Sequence, residues 1–136
     1  MDSALRTLLR ERANAVCEYC LLPEIYDRLP FQPDHIIAEK HGGLAEASNL
    51  AWSCYDCNIY KGPNIAGVDE ETGGIVQLFH PRQDVWREHF VWQGVELHGL
   101  NPIGRATIAV LRINLPRRVE LRYALQQEGL LIFGER

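Results

Sequence analysis

Four cysteines in the first half of the chain are spaced to hold a metal ion. They form two Cys-x-x-Cys pairs, Cys17–Cys20 and Cys54–Cys57, with 33 residues between the pairs. Four thiolates arranged in such pairs can surround a zinc ion tetrahedrally. A zinc ion with all four positions filled by protein has none left for substrate, so this zinc would be structural. The alternative is thiols that bind no metal or are oxidised, but a redox motif needs one pair within a βαβ pattern, which this sequence lacks.

The residues between and after the two pairs form an ordered series of motifs. Asp34-His35-Ile follows the first pair, then Gly42-Gly43, then Asn49-Leu, and the second pair runs directly into Asn58-Ile-Tyr-Lys-Gly. This series resembles the HNH endonucleases, a branch of the His-Me finger (ββα-metal) nucleases, over residues 17–62. The following segment, including the Phe-His-Pro-Arg that ends at Arg82, is similar to the C-terminal extension of bacterial, often cyanobacterial, HNH proteins.

The resemblance implies a role for four side chains. His35 would accept a proton from the attacking water, a task that suits an imidazole because it is largely neutral at cellular pH. Asp34 and Asn58 would be metal ligands, and oxygen ligands favour Mg²⁺ or Mn²⁺. That cation would polarise the scissile phosphate and stabilise the departing 3′ oxygen. Asn49 would pin the loop and hold the His35 ring through hydrogen bonds.

Two positions depart from the common family pattern. Ala38 stands where many members have Pro, which removes no chemical group. Asn58 stands where others have His, and this favours oxygen-preferring metal ions. Lys61 and His41 are candidates for phosphate contact, and each is equally consistent with a solvated surface residue.

Local patterns predict the elements that carry these residues. Leu5, Leu8 and Leu9 share one helix face after Ser3, a plausible N-cap. Residues 31–37 and 50–53 favour short strands, and Tyr55–Lys61 favours a short helix that ends at Gly62-Pro63. The zinc would fix where this helix begins and hence where Asn58 points.

The second half of the chain, residues 63–136, is predicted to support this core. A hairpin is expected around Gln93-Gly94, followed by one helix opened by Asn101-Pro102 and another from Pro116 to Gln127. Five arginines lie between Arg105 and Arg122 against one glutamate. They are either solvated helix faces or a phosphate-contacting surface. The predicted fold class is α+β, with a ββα-metal core and C-terminal hairpin and helices.

Length and composition are those of one globular domain. The chain has 136 residues, of which 46% are apolar and 24% charged, so it can bury a core without a disulfide framework. Its formal net charge of −4 argues against binding to nucleic acid or membranes through bulk electrostatics. The first residues lack the apolar core of a secretory signal, and we expect a cytoplasmic protein without a membrane partner.

The sequence therefore predicts a metal-dependent endonuclease that hydrolyses DNA phosphodiester bonds, with structural Zn²⁺ and catalytic Mg²⁺ or Mn²⁺. One alternative is a non-catalytic, zinc-dependent nucleic-acid-binding module on the same scaffold, and another is a structural or toxin-associated interaction domain. DNA is the expected partner. A double-strand cut would need two protomers or sequential nicks, so the sequence leaves open whether the protein is a homodimer.

Overall fold

The computed structural model describes residues 1–133, and the fold is α+β. The last three residues of the predicted extension, 134–136, lie outside this description. The strands pair into three antiparallel two-stranded sheets. The helices are α1 Ser3–Arg12, α2 Tyr55–Lys61, α3 Trp86–His89, α4 Pro102–Leu111 and α5 Pro116–Gln127, and the strands are β1 Gln32–His35, β2 Leu50–Ser53, β3 Ala66–Val68, β4 Ile75–Gln77, β5 Phe90–Gln93 and β6 Glu96–Gly99. No helix within residues 1–133 is long and apolar enough to cross a membrane.

The chain divides into two compact units that are discontinuous in sequence. Unit 1 contains Met1–Ile65 and His80–Asp84, and unit 2 contains Ala66–Phe79 and the described residues from Val85 onward. The sequence predicted one domain with a boundary near residue 62 between core and extension. That single-domain organisation stays a prediction.

Unit 1 contains the predicted strand-strand-helix core. β1 and β2 are antiparallel, with Asp34 opposite Ala51 and His35 opposite Leu50, and α2 packs on β1. α2 ends at Lys61, and the residue that caps it, Gly62, has a φ of +50°, in the region that favours glycine. The predicted bounds of β2 and α2 are confirmed, and β1 is shorter than the predicted 31–37.

α1 is anchored to β2 by its buried face and by arginines. Leu9 is fully buried, and Arg12 donates hydrogen bonds to the backbone oxygens of Ala47 and Leu50. The predicted N-cap is wrong by one residue. Asp2 caps the helix instead, because its Oδ1 accepts a 2.7 Å hydrogen bond from the Ala4 amide.

The segment His80–Asp84 leaves the second half of the chain and packs into unit 1. Arg82 forms an ion pair with Glu18, which lies inside the first cysteine pair. The other carboxylate oxygen of Glu18 accepts a 2.8 Å hydrogen bond from the Trp52 amide. His80 has no ligand spacing in the sequence, yet it is buried, and its Nδ1 accepts hydrogen bonds from the backbone amides of Arg82 and Gln83.

In unit 2, the predicted hairpin and both predicted helices are confirmed. β5 and β6 form the hairpin around Gly94, Asn101 caps α4 by accepting from the Gly104 amide, and α5 has the predicted bounds. The β3–β4 ribbon and α3 were not predicted. Gly67 in β3 lies so close to α4 that a Cβ there would be 2.7 Å from a Val110 methyl carbon, a tertiary requirement with no local sequence signal.

Three of the five arginines between residues 105 and 122 are directed into unit 2. Arg118 donates to the Leu111 and Arg112 carbonyls at the end of α4. Arg122 donates to the Val95 and Ile113 carbonyls, and Arg105 pairs with an aspartate on the β3–β4 loop. For these three, neither interpretation from the sequence is correct, because their guanidinium groups satisfy buried backbone oxygens or a buried carboxylate.

Asp69, on the β3–β4 loop, is expected to stabilise the folded protein at neutral pH and to lose this effect in acid. The Asp69 side chain is fully buried, and its carboxylate accepts from Arg105 Nε at 2.8 Å and Nη2 at 3.1 Å, and from Thr72. The hydrogen bonds from Arg105 hold the Asp69 pKa well below its usual range. A lowered folded-state pKa stabilises the protein above the unfolded pKa, near pH 4, and this contribution is lost as the pH falls further.

We therefore expect the thermal midpoints of the wild type and an Asp69→Asn variant to converge as the pH is lowered from about 5 to 2. Losses common to both proteins cancel in this difference. The matched control is Glu70→Gln, at the exposed carboxylate next in the chain. A difference that stays constant across this pH range would contradict the assignment.

Candidate active site and metal centre

The four cysteines of the two sequence pairs converge in unit 1. All four are buried, and their Sγ atoms all lie within 4.8 Å of one another. The Sγ atoms of Cys20 and Cys54 are 3.7 Å apart, well beyond the roughly 2.05 Å of a disulfide bond. Two sulfurs on one tetrahedral zinc with Zn–S bonds of about 2.3 Å are separated by about 3.8 Å. The cluster therefore fits a zinc site.

The second cysteine pair also begins α2. Cys54 is the N-cap of this helix, and its Sγ accepts a 3.4 Å hydrogen bond from the Cys57 amide. Burial raises the pKa of the Cys57 thiol, so thiolates in this cluster require a cation among them. A zinc ion bound here would fix the start of α2, as the sequence predicted.

Asp34 is buried on the side of β1 that meets α2. Its Oδ2 accepts a 2.6 Å hydrogen bond from the Tyr19 hydroxyl. The Lys61 Nζ lies 3.3 Å from Oδ1 and 3.2 Å from Oδ2. Burial raises the Asp34 pKa, and the positive charge of Lys61 opposes that rise. The carboxylate is thus balanced by a hydroxyl and an ammonium group from within the protein.

Lys61 is as buried as Asp34. Only 1% of its side chain is exposed, and its Nζ also donates a 2.9 Å hydrogen bond to the His35 carbonyl. From the sequence, Lys61 and His41 are each either a phosphate contact or a solvated surface residue. The structure places the Lys61 ammonium group inside unit 1, whereas His41 is exposed at the end of a short 3₁₀ turn, and its phosphate contact stays a prediction.

His35 faces away from Asp34, because successive side chains alternate along a strand. About a quarter of its side chain is exposed. Its Nε2 atom is buried and has no hydrogen-bond partner, and among residues 1–133 it is the only side-chain nitrogen or oxygen atom in that condition. The Glu39 carboxylate lies 3.6 Å from this atom, within reach of an ion pair with a protonated ring but beyond hydrogen-bonding distance.

Asn49 holds the loop that follows His35. Its Oδ1 accepts from the Ile37 amide, and its Nδ2 donates to the Ile37 and Leu44 carbonyls, all within 3.0 Å. The loop also needs glycine at position 43, where a Cβ would lie 1.7 Å from the Ile37 oxygen. These bonds pin the loop, as predicted. They end on the backbone rather than on the His35 ring, and the predicted role of Asn49 toward His35 stays a prediction.

The residues predicted to bind a catalytic cation do not fit one as they are arranged. Asn58 lies one helical turn before Lys61 on α2. Both oxygens of Asp34 are already contacted by Tyr19 or Lys61. A divalent cation on Asp34 would meet the Lys61 ammonium beside it. The ligand pair of Asp34 and Asn58 stays a prediction, and it requires Lys61 to move.

Sequence reasoning missed three contacts that shape this site. Tyr19 lies inside the first cysteine pair and is buried, as an aromatic residue in a core would be, but its hydroxyl also holds Asp34. The only feature of the sequence that pointed to the contact of Glu39 with His35 was its position four residues after the histidine. Nothing local indicated that Glu18 and Arg82 would pair across 64 positions of the chain.

Comparison with known families agrees with the first motifs. A family model described as HNH endonuclease matches residues 17–64. The match covers the cysteine pairs, both strands of the first sheet and α2. No curated protein and no solved structure matches the chain.

Proposed function

We propose that the HNH endonuclease domain carried by this chain hydrolyses DNA phosphodiester bonds, with His35 as the general base. The observation that carries this proposal is the His35 Nε2 atom, buried and without a hydrogen-bond partner at the end of β1. An unsatisfied buried polar atom destabilises a fold by about 1–3 kcal/mol. Such a cost is typical of atoms that gain their partner from water or substrate.

In the proposed reaction, a water molecule loses a proton to the His35 imidazole while its oxygen forms a bond to phosphorus. The bond from phosphorus to the 3′ oxygen breaks, and the departing oxygen takes a proton from solvent water, so the products are a 5′-phosphate and a 3′-hydroxyl. Asn49 supports this step indirectly, since its bonds to Ile37 and Leu44 fix the loop behind the histidine. Lys61 contributes by binding the His35 carbonyl, which holds the strand end in place.

Two cations belong to this proposal. A structural Zn²⁺ on the four cysteines would order α2 and the first cysteine pair. A catalytic Mg²⁺ or Mn²⁺, held by Asp34 and Asn58, is expected from the family. In the present arrangement the contact between Asp34 and Lys61 excludes this cation. The proposed reaction therefore does not use the cation.

The test is to incubate the zinc-loaded protein with supercoiled plasmid in Mg²⁺ or in Mn²⁺, and then treat the products with DNA ligase. We expect nicked circles that the ligase reseals, because it joins only 5′-phosphate to 3′-hydroxyl ends. Nicks that resist the ligase would contradict the proposed bond cleavage. Sedimentation of the same sample would show whether it is a homodimer.

The alternative is a non-catalytic nucleic-acid-binding module. The observation that favours this alternative is the buried ion pair of Lys61 and Asp34, because the two charges pair with each other inside the protein. Retardation of the plasmid on a gel without any nicking, in either metal, would support this alternative over the nuclease.

A further inference from the structure

The carboxylate of Glu39 lies beside the ring nitrogen of His35 that has no hydrogen-bond partner. Its Oε1 atom is 3.6 Å from the His35 Nε2. That nitrogen is buried and makes no hydrogen bond, and a separation of 3.6 Å is too long for one. The contact therefore leaves the Nε2 lone pair free to accept a proton, and it puts a negative charge next to the atom that would receive the proton.

The turn that carries Glu39 is held in place by the backbone. Glu39 is the first residue of the 3₁₀ turn Glu39–His41. Asn49 holds the chain on both sides of this turn, by hydrogen bonds to Ile37 and to the Leu44 carbonyl. The position of the Glu39 backbone is thus set, whereas its side chain is 81% exposed.

We propose that Glu39 is a positioning residue for the general base, because its carboxylate pairs with the imidazolium that forms when His35 takes a proton from water. This inference rests on the proposed function, since it concerns the base of that reaction. As the O–H bond of the water breaks, its proton bonds to Nε2 and its oxygen bonds to phosphorus, so the neutral ring becomes a cation. A carboxylate 3.6 Å away attracts the cation more strongly than the neutral ring, and it therefore stabilises the transition state more than the ground state.

A plain surface role for Glu39 leads to a different expectation. DNA is a polyanion, and an exposed carboxylate beside its binding surface repels it. Removing that charge would then lower KM for DNA and leave kcat unchanged. The proposed pairing with His35 requires kcat to fall instead, so the two roles differ in which constant changes.

The test compares kcat and KM for plasmid nicking by the zinc-loaded wild type, Glu39→Gln and Glu39→Asp. We expect Glu39→Gln to lower kcat about three- to tenfold, a modest loss because solvent screens the exposed carboxylate. Glu39→Asp keeps the charge on a shorter stem, so its kcat should lie between those of the wild type and Glu39→Gln. The matched control is Glu46→Gln, at an exposed carboxylate in the same connection between β1 and β2. Its kcat should equal that of the wild type.

A double variant shows whether Glu39 acts through His35. If it does, Glu39→Gln should cause no further loss of kcat in a protein that already carries His35→Ala. The same fold-loss in both backgrounds would give Glu39 a role independent of His35 and overturn the inference. A kcat that Glu39→Gln leaves unchanged or raises, in the protein that keeps His35, would also overturn it.

The outcomes separate this inference from the proposed function. Nicking with equal kcat by the wild type and Glu39→Gln would overturn the role of Glu39 alone and leave the nuclease in place. A wild type that nicks no plasmid in either metal would overturn both. Equal nicking by the wild type and His35→Ala would remove the base, and the role of Glu39 would fall with it.

Discussion

Replacing His35 with alanine is expected to lower the rate of plasmid nicking by about 10²- to 10⁴-fold, the range that one general base contributes. The physical reason is that water is a poor nucleophile toward a phosphodiester unless a base removes its proton. The measurement is the initial rate of conversion of supercoiled to nicked plasmid at saturating metal. The zinc content and thermal midpoint should stay close to those of the wild type, because the His35 ring makes no hydrogen bond through Nε2 that the fold needs.

The matched control for this variant is His41→Ala. His41 lies six residues later, is exposed, and ends the 3₁₀ turn that follows β1. A solvated histidine of this kind should change the rate severalfold at most, even if it contacts phosphate. Equal nicking by the wild type and His35→Ala would remove His35 from the mechanism.

Removing zinc is expected to unfold unit 1. Structural zinc contributes about 10–16 kcal/mol of apparent binding free energy in small zinc-binding peptides, which is comparable to the whole stability of a typical domain, about 5–15 kcal/mol. The four cysteines are all buried, and together they connect the first cysteine pair to the start of α2. We therefore expect a chelator, or Cys54→Ser, to abolish protection from hydrogen exchange in β1, β2 and α2.

Hydrogen exchange measured by peptide separates this loss from general unfolding. Peptides from α4 serve as the internal reference, since that helix belongs to unit 2. Returning Zn²⁺ to the chelated wild type should restore protection, and returning it to Cys54→Ser should not. Protection of β1 that survives complete zinc removal would contradict a structural role for the metal.

The elements that could be predicted from the sequence are those with strong local signals. Asn101-Pro102 caps and starts α4, and Gly62-Pro63 stops α2, because these residue types restrict the backbone by themselves. β3 could not be predicted, because its strand of three residues depends on Gly67 fitting against α4. The N-cap of α1 was misassigned because Asp2 and Ser3 are both good caps in adjacent positions.

For the site, residue types were easier to predict than partners. Cysteine pairs have few uses in a chain that needs no disulfides, so their convergence followed from spacing alone. A lysine at a helix end is ordinarily solvated. No residue near Lys61 in the sequence indicates that its ammonium group contacts Asp34, which lies 27 positions earlier. The roles of the α5 arginines could not be predicted for the same reason. Arg118 and Arg122 donate to backbone carbonyls that come close to them only in the folded unit.

The return of His80–Asp84 to unit 1 has a consequence for how the protein is made. During synthesis, residues 1–65 leave the ribosome well before Arg82, which holds Glu18 inside the first cysteine pair. Residues 1–65 thus wait for about 17 further residues, or on the order of seconds at elongation rates of about 5–20 residues per second. Early zinc capture would protect the exposed thiols during that interval, so zinc supply and translation speed should together set the yield of folded protein.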